Sequence, residues 1–174
     1  MSTPLQAFAS PLGHIASPDG IEQVTPGRKP RNGLWTSDWD GVTSPWLDLL
    51  QRDHDLGDLQ GFHPRSLTTV TLLTPDPAAR IYTVDSAADL DALFARFPRH
   101  ADFGETVDWV VVGEHYDAVR LTYAGQQATP LRTDKVDTYG WDIPSTVWYR
   151  WCFTSVEVVT WRAAQTAESL TAVG

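Results

Sequence analysis

The stretch that decides the fold class is Arg80-Ile81-Tyr82-Thr83-Val84-Asp85-Ser86-Ala87-Ala88-Asp89-Leu90-Asp91-Ala92-Leu93-Phe94-Ala95-Arg96-Phe97-Pro98. It opens as a strand, with Ile81 and Thr83 alternating against Tyr82 and Val84. Asp85 or Ser86 then caps a helix. Leu90, Leu93, Phe94 and Phe97 fall on one face of that helix, and Pro98 stops it. A strand running straight into a helix excludes all-α and all-β folds.

Working outward, Leu67–Thr74 is rich in Thr, Val and Leu and reads as a strand, broken by Pro75-Asp76-Pro77. Gly33–Ser37 reads as a short strand leaving an Asn32-Gly33 turn. Ser44 caps a further helix with Pro45 at its first position, and Trp46, Leu49 and Leu50 share one face. That helix ends before Gly57. Thr106–Tyr116 reads two ways, as a short helix capped by Thr106 or, through its three consecutive valines, as a strand, with helix the favoured reading; Asp117–Tyr123 reads as a strand. Gly125–Gly140 reads as loop, and Val147–Phe153 and Val156–Trp161 as closing strands. Residues 1–30 read as loop with one short element near Leu12–Ile15, and the tail after Ala163 as frayed. The expectation is a single α+β domain over 1–174, with a largely antiparallel sheet and few helices.

Composition narrows the function classes. The chain has 174 residues and a formal charge of -9. Such a field repels phosphate backbones and disfavours general nucleic-acid binding, although Arg28-Lys29-Pro30-Arg31 forms a local basic patch. A lone cysteine, Cys152, fits a reducing compartment. No signal-like leader and no membrane-length apolar run is seen, so a cytoplasmic location is expected. Phosphate-binding glycine loops and the Gly-x-Ser-x-Gly elbow are absent. The five histidines do not pair at helical spacing, so no metal site is expected. Cys152 lies in an aromatic run, where a buried thiol is inert.

Eight tryptophans stand out. Tryptophan fills cores and stacks on flat rings equally well. Three segments carry the residues a nicotinamide-dinucleotide pocket needs. His14 can hold a ribose hydroxyl. Trp35 and Trp46 can flank a ring. Asp117 can steady the positive charge that builds as a glycosidic bond breaks. Arg28, Lys29 or Arg31 can meet a pyrophosphate. A second cluster, Tyr139-Gly140-Trp141-Asp142-Ile143-Pro144-Ser145-Thr146, forms a rigid turn on which Trp141 and Asp142 can read a ligand. Gln126-Gln127 can stand in for the acid.

Gly33-Leu34-Trp35-Thr36-Ser37-Asp38 resembles the middle motif of the ADP-ribosyltransferases of the poly(ADP-ribose) polymerase type, with Trp35 at the motif's tyrosine. Trp46 falls near the family's second ring-stacking aromatic, His14 upstream, and Asp117 at the late acid. The resemblance implies a split sheet and NAD as substrate. It also implies catalytic roles for His14, Trp35 and Asp117 and a ring-stacking, cofactor-binding role for Trp46; from their own chemistry Arg31, Gln126 and Asp142 are the further cofactor-binding candidates. It differs where Trp replaces Tyr and Asp replaces Glu. The chain also resembles a group of small actinobacterial and phage proteins that share the Gly-Leu-Trp and Tyr-Gly-Trp-Asp stretches. Two functions follow as expectations. One is NAD cleavage or toxin-like ADP-ribosyl transfer to a protein target. The other is a non-catalytic binding, immunity or accessory role, with an acidic patch of Trp39, Asp40, Asp53, Asp55 and Asp58 facing a partner.

Overall fold

The computed structural model describes residues 3–9, 19, 21–55, 69–102, 104–129 and 136–161, with the backbone alone for 53–55. The expected elements near Leu12–Ile15 and in the tail lie outside the described residues.

The elements run in the order β1 (Gln6–Phe8), β2 (Leu34–Asp38), α1 (Pro45–Asp55), β3 (Thr69–Pro75), β4 (Ile81–Val84), α2 (Ala87–Arg96), β5 (Pro98–Ala101), β6 (Gly104–Val107), α3 (Trp109–His115), β7 (Ala118–Leu121), α4 (Tyr123–Ala128), β8 (Ser145–Trp148) and β9 (Phe153–Thr160). Seven strands form one sheet in the order β4-β7-β8-β2-β1-β3-β9, and β5 and β6 form a separate hairpin. Only β4 and β7 run parallel; the other pairs are antiparallel. The chain is therefore an α+β fold with a largely antiparallel sheet. No helix among the described residues is long and apolar enough to cross a membrane.

Alternation along the strands sorts the core into two faces. On one face Val84, Val119, Leu121 and Val147 pack with Leu90 and Leu93 of α2 and with Trp109 and Val112 of α3. Further along this face Ala7, Val70 and Leu72 meet Leu47 of α1 and Trp161. The opposite face buries Leu34, Leu73, Ala118 and Trp148 beside Phe153 and Trp151.

The Asn32-Gly33 turn has φ of 62° and 76°, the left-handed pair that a tight turn requires. Gly33 also packs too close to Val147 and the Trp148 carbonyl to carry a side chain without movement. Ser86 caps α2 as expected, its side chain accepting from the Asp89 amide. Ser44 Oγ accepts from the Leu47 amide at 3.4 Å, with Pro45 opening α1. The core face of α1 is Leu47 and Leu50, however, while Trp46 is 39% exposed. The expected apolar face of Trp46, Leu49 and Leu50 instead lines a cleft.

Four other expectations are corrected. Residues 104–107 form the second strand of the β5–β6 hairpin. The Thr106 hydroxyl donates to the Gly27 and Arg28 carbonyls rather than capping α3. Asp108 takes the cap, accepting from the Val111 amide. The expected loop from Gly125 contains α4, capped by Thr122. A helical glycine is a poor signal, but a Cβ on Gly125 would overlap the Val84 carbonyl, so only glycine lets α4 sit against β4. β8 ends at Trp148, and β9 starts three residues earlier than Val156. Arg150 marks the turn between them, its guanidinium donating to the Gly113 carbonyl. Finally, β1 forms where only loop was expected, because a three-residue strand leaves no readable alternation.

That short strand joins two half-sheets. β1 and β2 pair only at Gln6↔Asp38 and Ala7↔Ser37. Gln6 is fully buried, and its carboxamide is satisfied throughout. Its Nε2 donates to Asp38 Oδ1 at 2.8 Å and to the Pro4 carbonyl at 3.1 Å. Its Oε1 accepts from Thr36 Oγ1 at 2.7 Å. Thr36 in turn accepts from the Trp148 indole at 2.9 Å, and Arg120 pairs with Asp38.

Two stability outcomes follow. Gly125→Ala is expected to cost about 1–3 kcal/mol through overpacking against Val84, read as a lowered urea midpoint with unchanged slope. Gln6→Leu strands the Thr36 hydroxyl, and is expected to cost about 1–3 kcal/mol by the same measurement.

Candidate functional site

A cleft of about 920 Å³ opens over the middle of the sheet. Its floor is Trp35 and Thr36 of β2, Ser145 of β8, and Phe8 and Ala9 where β1 leaves β2. One wall is Trp46, Leu49 and Leu50 of α1. The other is built from residues 29–32 and 140–143. The volume falls within the range of small-molecule sites.

The second wall consists of two loops tied together. Lys29 Nζ donates to the Gly140 carbonyl and stands 5.5 Å from the centre of the Trp35 ring. Arg28 lies over Tyr139 and pairs with Asp137 at 3.8 Å. The Trp109 indole donates to the Arg28 carbonyl at 3.2 Å. Trp141 is buried under the tie, with its N–H on Ser145 Oγ at 2.7 Å. Trp35 is half-buried and meets Trp141 edge-to-face at 5.1 Å. The Trp35 indole N–H is already spent on the Asn32 carbonyl at 2.8 Å. What Trp35 offers a ligand is therefore its ring surface. Among the described lining residues the charged ones are Lys29, Arg31 and Asp142, two cations against one carboxylate. The described lining is thus net positive in a chain of charge -9.

The structure thus brings Arg31, Trp35, Trp46 and Asp142 to one cleft. Gln126 is not on the lining but stands beside it, its Nε2 donating to the Asp142 carbonyl at 3.3 Å. His14 lies outside the described residues. Asp117 is not on the lining. It sits one residue before β7, whose far end, Leu121, pairs with the cleft residue Ser145. Four residues of strand separate Asp117 from Leu121, about 13 Å.

Asp117 is occupied where it lies. Its carboxylate accepts from the Arg80 amide at 2.7 Å and pairs with Arg80 at 3.2 Å and Arg150 at 3.0 Å. Burial raises its pKa, but the Arg80 hydrogen bonds and the two guanidinium charges outweigh burial, so the net shift is downward. Nearby Cys152 is half-buried, and its thiol is pushed up by burial and then by the Asp117 charge.

Of the expected acidic patch, Trp39 is half-buried against the core under α1. Asp40 is exposed, and its carboxylate accepts from the Val42 and Thr43 amides. The Asp53 and Asp55 side chains and all of Asp58 lie outside the described residues. Two features escaped the sequence reading. One is the Gln6–Thr36–Asp38–Arg120 network, whose members are scattered over three strands and share no motif. The other is the loop tie, since Lys29 and Gly140 stand 111 residues apart.

The chain matches no family model, no curated protein and no solved structure.

Because its folded pKa is lowered, Asp117 stabilises the fold above its ordinary value of 3.8, and that stability is lost as pH falls through the lower folded value. Asp117→Asn is expected to cost about 1–3 kcal/mol at neutral pH. Its deficit against the wild type should shrink as urea midpoints are followed below pH 3.8.

Proposed function

We propose that the cleft binds a nucleotide of the nicotinamide-dinucleotide class, and that the chain acts as a small ADP-ribosyltransferase-like domain. The observation that carries this reading is the lining of one cleft by two tryptophan rings together with Lys29 and Arg31. Ring surface suits a base or a nicotinamide. Two cations beside it suit the pyrophosphate between them.

Cleaving the nicotinamide bond adds one requirement. The ring leaves with the electron pair of the C–N bond, and positive charge builds on the ribose. A carboxylate must face that charge. Among the described lining residues that carboxylate is Asp142, exposed at the cleft rim. Asp117 is already neutralised by two arginines. The acid role therefore passes in this proposal from Asp117 to Asp142, and water or a side chain of a target protein serves as acceptor.

The test is titration with NAD, followed by quenching of tryptophan fluorescence, alongside an assay for released nicotinamide. Trp46 is partly exposed, so Trp46→Ala spares the core. Removing a stacking ring costs about 1–3 kcal/mol, so binding should weaken about 5- to 150-fold. Asp142→Asn should retain binding and lose release. Binding without release in the wild type would leave a nucleotide-binding module without catalysis. Neither quenching nor release by the wild type would overturn the reading.

A further inference from the structure

The far edge of the sheet is unlike the rest of the molecule. β9 lies at the end of the strand order and, among the described residues, pairs only with β3. Thr154, Ser155, Val156, Glu157 and Val158 are all exposed. In a strand, neighbouring residues point to opposite faces, so both faces of β9 meet solvent there. Val156 is 37% and Val158 46% exposed, and they lie opposite Leu73 and Thr71 on one face.

An edge like this is a template for another strand. Proteins usually block such templates with lysine, proline, an inward charge or a bulge. Phe153–Thr160 contains no lysine, proline or glycine. The one irregularity in its pairing falls near one end, where Thr154 is skipped between the Ser155 and Phe153 pairs, and the ladder from Ser155 to Thr160 is regular. Glu157 is the single charge in a strand belonging to a chain of charge -9. β9 is therefore a place where two copies can approach with little repulsion.

We propose that β9 pairs antiparallel with β9 of a second copy, across a two-fold axis through Val156. The axis follows from charge and face. An axis at Glu157 would set two like charges opposite each other, which is unfavourable. An axis between two residues would place Val156 opposite Glu157 and mismatch the faces. With the axis at Val156, that residue meets its own counterpart, Glu157 faces Ser155 of the other copy, and Val158 faces Thr154. The two sheets become continuous, and the valines of both copies form one apolar strip. One strand ladder is a small interface, so association should be weak, in the micromolar range or above.

Sedimentation velocity of the full chain, from about 1 to about 500 µM, provides the test. The wild type should pass from monomer to dimer. V156K and V156E should each stay monomeric, with unchanged circular dichroism because the position is exposed. An equimolar mixture of the two should dimerise, since only a two-fold axis at this residue brings lysine onto glutamate. V158K, set opposite Thr154, should weaken the dimer and serves as the second variant should either change at 156 disturb the fold. A wild type that stays monomeric throughout overturns the proposal and leaves the edge to a strand of a different chain. Dimerisation of V156K alone, or failure of the mixture to dimerise, overturns it as well.

Discussion

The buried carboxamide of Gln6 holds the sheet together. Two residue pairs join the half-sheet of β4, β7, β8 and β2 to that of β1, β3 and β9. Two residue pairs, extended by the Trp39 amide donating to the Leu5 carbonyl, are a weak seam for so large a sheet. Gln6 reinforces it with a relay of side chains that reaches Trp148 through Thr36 and Arg120 through Asp38. Each donor and acceptor of that carboxamide is used, so its burial incurs no unsatisfied polar group. The seam also makes room for the cleft, because β1 peels from β2 after Ala7 and leaves Phe8, Ala9, Trp35 and Thr36 at its floor.

The rest of the cleft depends on loops being held as firmly as strands. Pinning is done by tryptophan. Trp109, Trp141 and Trp35 form a chain of edge-to-face contacts from the core to the cleft floor. Two of their indole N–H groups fix loop backbone, at Arg28 and Asn32. The tryptophan richness thus serves both uses of the residue. Trp109, Trp141 and Trp148 are buried in the core, while Trp35 and Trp46 line the cleft. Electrostatics divides in the same way. Arg80 and Arg150 neutralise Asp117 at one end of β7, while Lys29 and Arg31 leave the described cleft lining net positive.

Elements with strong periodicity or strong punctuation were legible in the sequence. The β4–α2 unit, β2 after Asn32-Gly33, β3, and α1 behind Ser44-Pro45 could all be read from local chemistry. β1, the β5–β6 hairpin and α4 could not, because each is fixed by tertiary partners: Gln6 by Thr36 and Asp38, Thr106 by the Gly27 carbonyl, Gly125 by β4. The site shows the same division. Arg31, Trp35, Trp46 and Asp142 could be singled out by residue type, but their assembly into one cleft depends on the contact of two distant loops. Asp117 illustrates the limit of motif reading. An acid at a strand start looks the same in sequence whether it faces a ligand or two arginines.

The placement of β1 between β2 and β3, and of β9 outside β3, bears on how the chain folds as it is synthesised. The β2-β1-β3 part uses only early segments and has its partners as soon as β3 emerges. The outer edge of β3 and the junction between β2 and β7 both wait for segments beyond residue 144, namely β8 and β9. Contacts of such long sequence separation form slowly. A nascent chain would therefore display apolar strand edges until late in translation, a period in which chaperone binding would count for more than native stability.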